Sequence, residues 1–152
     1  MTPEQKQQAL EKTAEICKKF EGFRAEPYKC PAGVWTIGYG CTRYPDGKKV
    51  QPTDPVITIE QAHDLLLRML QDYQSGVLGH CPGIEDVGLL AACTDLAYNI
   101  GINAFGGSTV RKRINSGDMD GVPDAFRMWV KAAGKTLPGL VKRREAEITL
   151  LS

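Results

Sequence analysis

The sequence predicts an α+β fold that is mostly α, with a small β meander set into a helical chain. Three observations predict it. Apolar residues recur at helical spacing over residues 3 to 20, and again from residue 59 to the end of the chain. Residues 28 to 51 are instead rich in β-branched and aromatic residues, broken by Pro31-Ala32-Gly33 and Pro45-Asp46-Gly47. Hydrophobic residues make up 42% of the 152, enough to bury a sizeable core without a structural metal or disulfides.

The elements follow in order. Leu10, Ala14, Cys17 and Phe20 form the apolar stripe of a first helix over 3–20, with Pro3 near its start and Gly22 where it can stop. Cys17 thereby reads as a core residue. The stretch 28–51 reads as strands joined by tight turns, too small to stand alone. Thr58-Ile59-Glu60-Gln61 has capping-box spacing, and Ile59, Ala62, Leu66, Met69 and Tyr73 continue on one face, which predicts a long helix over about 59–77. His63 on this helix reads as a partly exposed polar position. After the turn-rich GHCPGIEDVG, residues 88–100 carry Leu89, Cys93, Leu96, Ala97 and Ile100 among small residues, the pattern of a central helix buried on most sides. Ser108 can cap a short helix ending near Asn115 and Gly117. A further helix is expected over about 122–133, and Pro138-Gly139 opens the last one, through Leu150.

Composition narrows the function. Nineteen basic against eighteen acidic side chains give a net charge of +1, which argues against a dedicated nucleic-acid binder. Residues 1–105 are net −3 and residues 106–152 net +4, an excess most simply read as a solvated helical face. No apolar run is long enough to span a membrane, and MTPEQKQQALEKTAEICKK has no signal-peptide pattern, so synthesis in the cytoplasm without stable membrane insertion is expected. The five cysteines are odd in number and contain no C-x-x-C pair, which fits neither a disulfide framework nor a zinc site. His80-Cys81 has no third ligand near it, and Gly38-x-Gly40 lacks the later glycine and lysine of a phosphate loop. Neither a metal nor a cofactor is expected.

Chemistry concentrates at the junction of the first helix and the meander. Glu21 follows Phe20 near the C-terminal end of the helix, where partial burial and the negative end of the helix dipole both disfavour the carboxylate and should raise its pKa. An acid that keeps its proton near neutrality can protonate a departing sugar oxygen. Cys30 and Thr36 add a thiol and a hydroxyl a few residues on.

The string EGFRAEPYKCPAGVWTIGYGCT, residues 21–42, closely resembles the signature of the phage-type lysozymes, glycoside hydrolase family 24. The family's catalytic pattern is Glu, eight residues, Asp or Cys, five residues, Thr, and Glu21, Cys30 and Thr36 fall on those places. LAYNIG (96–101), AFGGST (104–109) and PGLVKRREAE (138–147) extend the resemblance along nearly the whole chain. It implies one lysozyme-like catalytic domain over 1–152, with a small β-meander lobe (about 28–51) and a larger helical lobe joined by the helix at about 59–77. It further implies a monomeric endolysin that cleaves the β-1,4 bond between N-acetylmuramic acid and N-acetylglucosamine in peptidoglycan glycan strands. Access to periplasmic peptidoglycan would await a holin that opens the inner membrane.

By the same resemblance Glu21 would be the general acid, while Cys30 and Thr36 would work on the water side of the sugar, with inversion at the anomeric carbon. Cys30 departs from the two-carboxylate pattern: an ordinary thiol is mostly neutral at pH 7, so it is a base with a lowered pKa, a nucleophile, or a small filler beside Pro31. Cys41 stands where many family members carry His. Trp35 alternates away from Thr36 and reads as packing rather than a sugar platform. Asn99 and Ser108 lie on stretches that face the saccharide in the family and are candidate substrate contacts, although each could equally serve as a backbone cap. Arg143 and Arg144 either approach Glu21 or the muramyl peptide carboxylates, or lie on a solvated face. Non-hydrolytic peptidoglycan binding is the alternative function, and thiol-redox or metal chemistry a more distant one.

Overall fold

A computed structural model describes residues 1–152. Seven α-helices and two short antiparallel strand pairs follow the chain: α1 (Pro3–Glu21), β1 (Arg24–Lys29), β2 (Trp35–Gly38), α2 (Ile59–His80), α3 (Val87–Ile100), α4 (Ile102–Gly106), α5 (Thr109–Ser116), α6 (Val122–Arg127), β3 (Lys131–Ala132), β4 (Lys135–Thr136) and α7 (Pro138–Ile148), with one 3-10 turn at Met119–Gly121. Helix starts are set by side-chain caps that take up otherwise orphaned backbone N–H groups. Thr2 and Thr58 make reciprocal capping boxes with Gln5 and Gln61, and Asp86 and Ser108 accept from Leu89 and Arg111. Glycines set several ends: Gly22 (φ 71°) closes α1 and Gly117 (φ 79°) closes α5.

Three apolar clusters explain the two lobes. The largest surrounds α3, whose residues Leu89 to Ala97 are all buried, and gathers Val77, Phe105, Val110, Val122 and Phe126 around it. A second joins Leu10, Ala14 and Cys17 of α1 to Leu66 and Leu70 of α2. The third packs Ile37, Cys41 and Val50 of the β region on Leu65 and Met69 of α2. Helix α2 therefore gives its N-terminal half to the β region and its C-terminal end, Val77, to the helical lobe, which is how a single helix of about 33 Å ties the two together.

The structure corrects several expectations. The β lobe begins at Arg24 rather than 28, and only β1 and β2 form a ladder, with an irregular register between Arg24 and Tyr28. Beyond them the meander is reduced to isolated bridges, Ile37 with Cys41 and Arg43 with Lys49. Pro27 has no N–H to give a regular ladder, and Gly40 (φ 82°) turns the chain at once after β2. The helix expected over 122–133 ends at Arg127. Residues 131–136 instead form a hairpin whose two turn residues, Ala133 and Gly134, both have positive φ (52° and 78°), the conformation that matches strand twist in a two-residue turn. Helix α4 was not anticipated; Gly101 (φ 98°) separates it from α3. The long helix continues to His80 and the last one stops at Ile148.

Candidate active site

Glu21 is the last residue of α1, and its carboxylate is held from two sides. Oε2 accepts a hydrogen bond from Arg143 Nη1 of α7 at 2.6 Å, with the Glu21 side chain 24% exposed and the Arg143 side chain 5%. Oε1 lies against the α-carbon of Gly40, where a Cβ would stand 2.6 Å from it. One oxygen is thus gripped and the other has no protein donor. The apolar surroundings expected for Glu21 are in fact shared with a buried guanidinium.

Around it stand groups that stay neutral near pH 7. Burial, then the Glu21 charge, pushes the Tyr28 phenol of β1 up. Burial pushes the Cys41 thiol up to about 11, and the Tyr98 hydroxyl of α3, which donates to the Tyr39 carbonyl at 3.0 Å, well above its ordinary value. The position where relatives by resemblance carry an imidazole therefore holds a buried neutral thiol here.

Cys30 and Thr36 meet at the β1–β2 turn. The turn is closed by hydrogen bonds from Cys30 N to Val34 O at 3.0 Å and from Gly33 N to Cys30 O at 2.8 Å, with Gly33 at φ 79°. Tyr28 pairs with Thr36 across the ladder. Hydrogen bonding from the backbone at Val34 outweighs desolvation and, with a further bond from the Ala32 backbone, pulls the Cys30 thiol below its ordinary range. Thr36 is 3% exposed, and its hydroxyl donates to the Val34 carbonyl at 3.0 Å. Tyr28 lies in the field of both Glu21 and Cys30, so the acid, the thiol and the hydroxyl share one region of the molecule.

The other sequence candidates separate. Ser108 is 3% exposed; its hydroxyl donates to Phe105 O at 2.6 Å and accepts from Arg111 N at 3.2 Å, so it serves as the cap of α5. Asn99, at the end of α3, has a buried Oδ1 with no protein partner. Arg143 and Arg144 are both buried rather than on a solvated face, and they part company. Arg143 reaches Glu21, whereas Arg144 binds Glu147 (Nε to Oε1, 2.6 Å) and the Trp129 carbonyl. Trp35 is half-buried, packs against the third cluster and lies under Lys29. No group of three or more His, Cys, Asp or Glu side chains is placed to hold a metal ion.

Two residues of this region escaped the sequence reading. Asp95 is fully buried on α3 and takes both Arg143 Nε and Nη2 at 2.9 Å. Its signal was present: an acid inside the apolar run LLAACTDLAYNI needs a buried cation. Gly40 is the other, since the motif TIGYG does not reveal that its last glycine carries an acid on its α-carbon. Gly40→Ala is expected to cost some stability, because alanine disfavours φ 82°, and also to push the Glu21 carboxyl aside by about 1 Å, a displacement that can cost about 100-fold in rate in the variant that still folds. Clearing rates beside circular dichroism check this; a folded variant at parental rate would show that the contact does not position Glu21.

A family model described as phage lysozyme matches residues 18–147. The endolysin of Acyrthosiphon pisum secondary endosymbiont phage 1 is 37% identical over 144 residues, covering 92% of this chain and 94% of that one. Among solved structures, the endolysin from Escherichia coli O157:H7 phage FAHEc1 has a TM-score of 0.81 at 35% identity, covering 92% of this chain and 90% of that chain. The muramidase domain of SpmX from Asticaccaulis excentricus has a TM-score of 0.77 at 29% identity, covering 91% and 93%. Fold, site and relatives together define a glycoside hydrolase of the lysozyme type. The chain belongs to the phage lysozyme family, and its role is that of an endolysin, a peptidoglycan hydrolase of host-cell lysis.

Proposed function

We propose that the chain, as one catalytic domain over residues 1–152 and as a monomer, hydrolyses the β-1,4 bond between N-acetylmuramic acid and N-acetylglucosamine with inversion. Glu21 is the general acid; Cys30 and Thr36 act on the water side. The observation that carries this reading is the division of labour at Glu21, where Oε2 is held by Arg143 and Oε1 is free of protein donors against Gly40. A fixed carboxyl with one free oxygen can give its proton to a glycosidic oxygen as the bond breaks. With its own proton on the Val34 carbonyl, the Thr36 hydroxyl offers lone pairs to a water. Cys30, with its lowered thiol, accepts that water's other proton as oxygen attacks the far face of the sugar.

Asn99, only partly buried at the end of α3, is kept as a saccharide contact, while the hydrogen bonds of Ser108 favour its capping role. No helix is long and apolar enough to cross a membrane, and we assign access to peptidoglycan to a separate holin. Turbidity loss of chloroform-permeabilised Gram-negative cells, with analysis of the released reducing ends, tests the whole reading. Clearing with muramic acid at the new reducing end supports it; binding to peptidoglycan without clearing would make the chain a non-hydrolytic relative.

A further inference from the structure

The Arg143 guanidinium is a rigid planar fork, and its three nitrogens are all engaged. Nε donates to Asp95 Oδ2 and Nη2 to Asp95 Oδ1, each at 2.9 Å, and Nη1 donates to Glu21 Oε2 at 2.6 Å. Two parallel bonds to one carboxylate fix the plane of the fork, which leaves Nη1 a single direction, toward the end of α1. Asp95 Oδ1 also accepts from the Cys17 thiol at 3.0 Å. Cys17 lies one turn before Glu21 on the same face of α1, so α1, α3 and α7 are tied together at Asp95.

The arrangement also settles where the charge goes. Arg143 is 4% exposed and Asp95 is fully buried, so water does little screening between them. Were Glu21 the only counter-ion of Arg143, the guanidinium would hold it as a carboxylate, the reverse of what a general acid needs. We propose that Asp95 is a positioning residue of this hydrolase: it orients Arg143 and matches its charge, so that Arg143 can grip Glu21 while Glu21 still carries a proton. The inference rests on the reading of Glu21 as the general acid.

The groups facing Glu21 leave this pair as the one that matters. Tyr28 from β1, Cys41 from the turn after β2, Tyr98 from α3 and Cys17 on α1 itself all have their titrations pushed upward, first by burial, and are neutral over the working range. Glu147 of α7 touches Asp95 from the far side and pairs with Arg144; burial first, then Asp95, pushes it well above the usual carboxylate range. Asp95 stays ionised: burial opposes this, but hydrogen bonds from Glu147 and Arg143 hold its carboxyl below the usual range.

The test is the pH profile of peptidoglycan hydrolysis by the full chain. In Asp95→Asn the alkaline limb, where rate falls as the general acid loses its proton, is expected to move to lower pH by about one unit or more. A uniformly lower rate with the limb unmoved would make Asp95 purely structural and overturn the proposal. Should Asp95→Asn not fold, Asp95→Ser, which keeps one oxygen for the Arg143 fork without the charge, is read in the same way. A folded Asp95→Ser with an unmoved limb overturns the proposal equally. Failure of the underlying reading is separate and visible: Glu21→Gln would then keep its activity, whatever the Asp95 variants do.

Discussion

Glu21→Gln is expected to leave the chain folded and to lower the lytic rate by about 10²- to 10⁴-fold, the usual contribution of a positioned general acid. The amide is nearly isosteric with the carboxyl, and its oxygen can still accept from Arg143 Nη1, which in the parent lies 2.6 Å from Oε2. The bond that ties α1 to α7 is therefore kept, and α1 still packs through Leu10, Ala14 and Cys17 on α2. What the amide cannot do is give a proton to the departing sugar oxygen. Turbidity loss of permeabilised cells gives the rate, and thermal unfolding followed by circular dichroism shows that the variant is native. A native variant clearing cells at more than about one tenth of the parental rate would take the acid role away from Glu21.

How much of this was legible in the sequence follows from which forces are local. Caps are local: Thr58 with Gln61 and Ser108 with Arg111 lie three residues apart, and both mark their helices where the sequence places them. The apolar stripe of α1 and the all-round burial of α3 are read from spacing alone. The hairpin at 131–136 is not local in this sense. Its turn puts Ala133 at positive φ, which its side chain disfavours, and the segment's helical periodicity through 122–133 is overridden. At the site, the family pattern of Glu21, Cys30 and Thr36 was visible because it is contiguous. The contacts that hold it come from residues far along the chain, Arg143 and Asp95, and only the oddity of an acid in an apolar helix hinted at the second. Arg143 and Arg144 look alike in sequence, yet one serves the site and the other pairs with Glu147, a distinction that the crossing of α1, α3 and α7 alone creates.

Cys30→Ala is expected to lose most of the activity, while Cys30→Asp keeps a substantial part of it. The thiol stands in a turn whose Val34 and Ala32 backbone donors stabilise its thiolate and lower its pKa. The same donors would receive an aspartate, which is an ionised acceptor of similar reach; alanine offers no acceptor at all. The sign of the pH effect is fixed by the role. A base must be deprotonated, so activity falls as pH drops through its pKa, and an aspartate with an ordinary value near 3.9 should carry the acid limb of the profile to lower pH than the thiol does. Thr36→Val should also be damaging, because it removes the hydroxyl while keeping the β-branched shape that suits β2. The product anomer separates the two chemical routes open to the thiol. Direct attack by water on a β-linked glycan releases the α-anomer, whereas a thioglycoside on Cys30 would release the β-anomer and leave an adduct visible by mass spectrometry. A folded Cys30→Ala that lyses cells as fast as the parent would remove the thiol from the mechanism and leave Glu21 with Thr36 to carry the site.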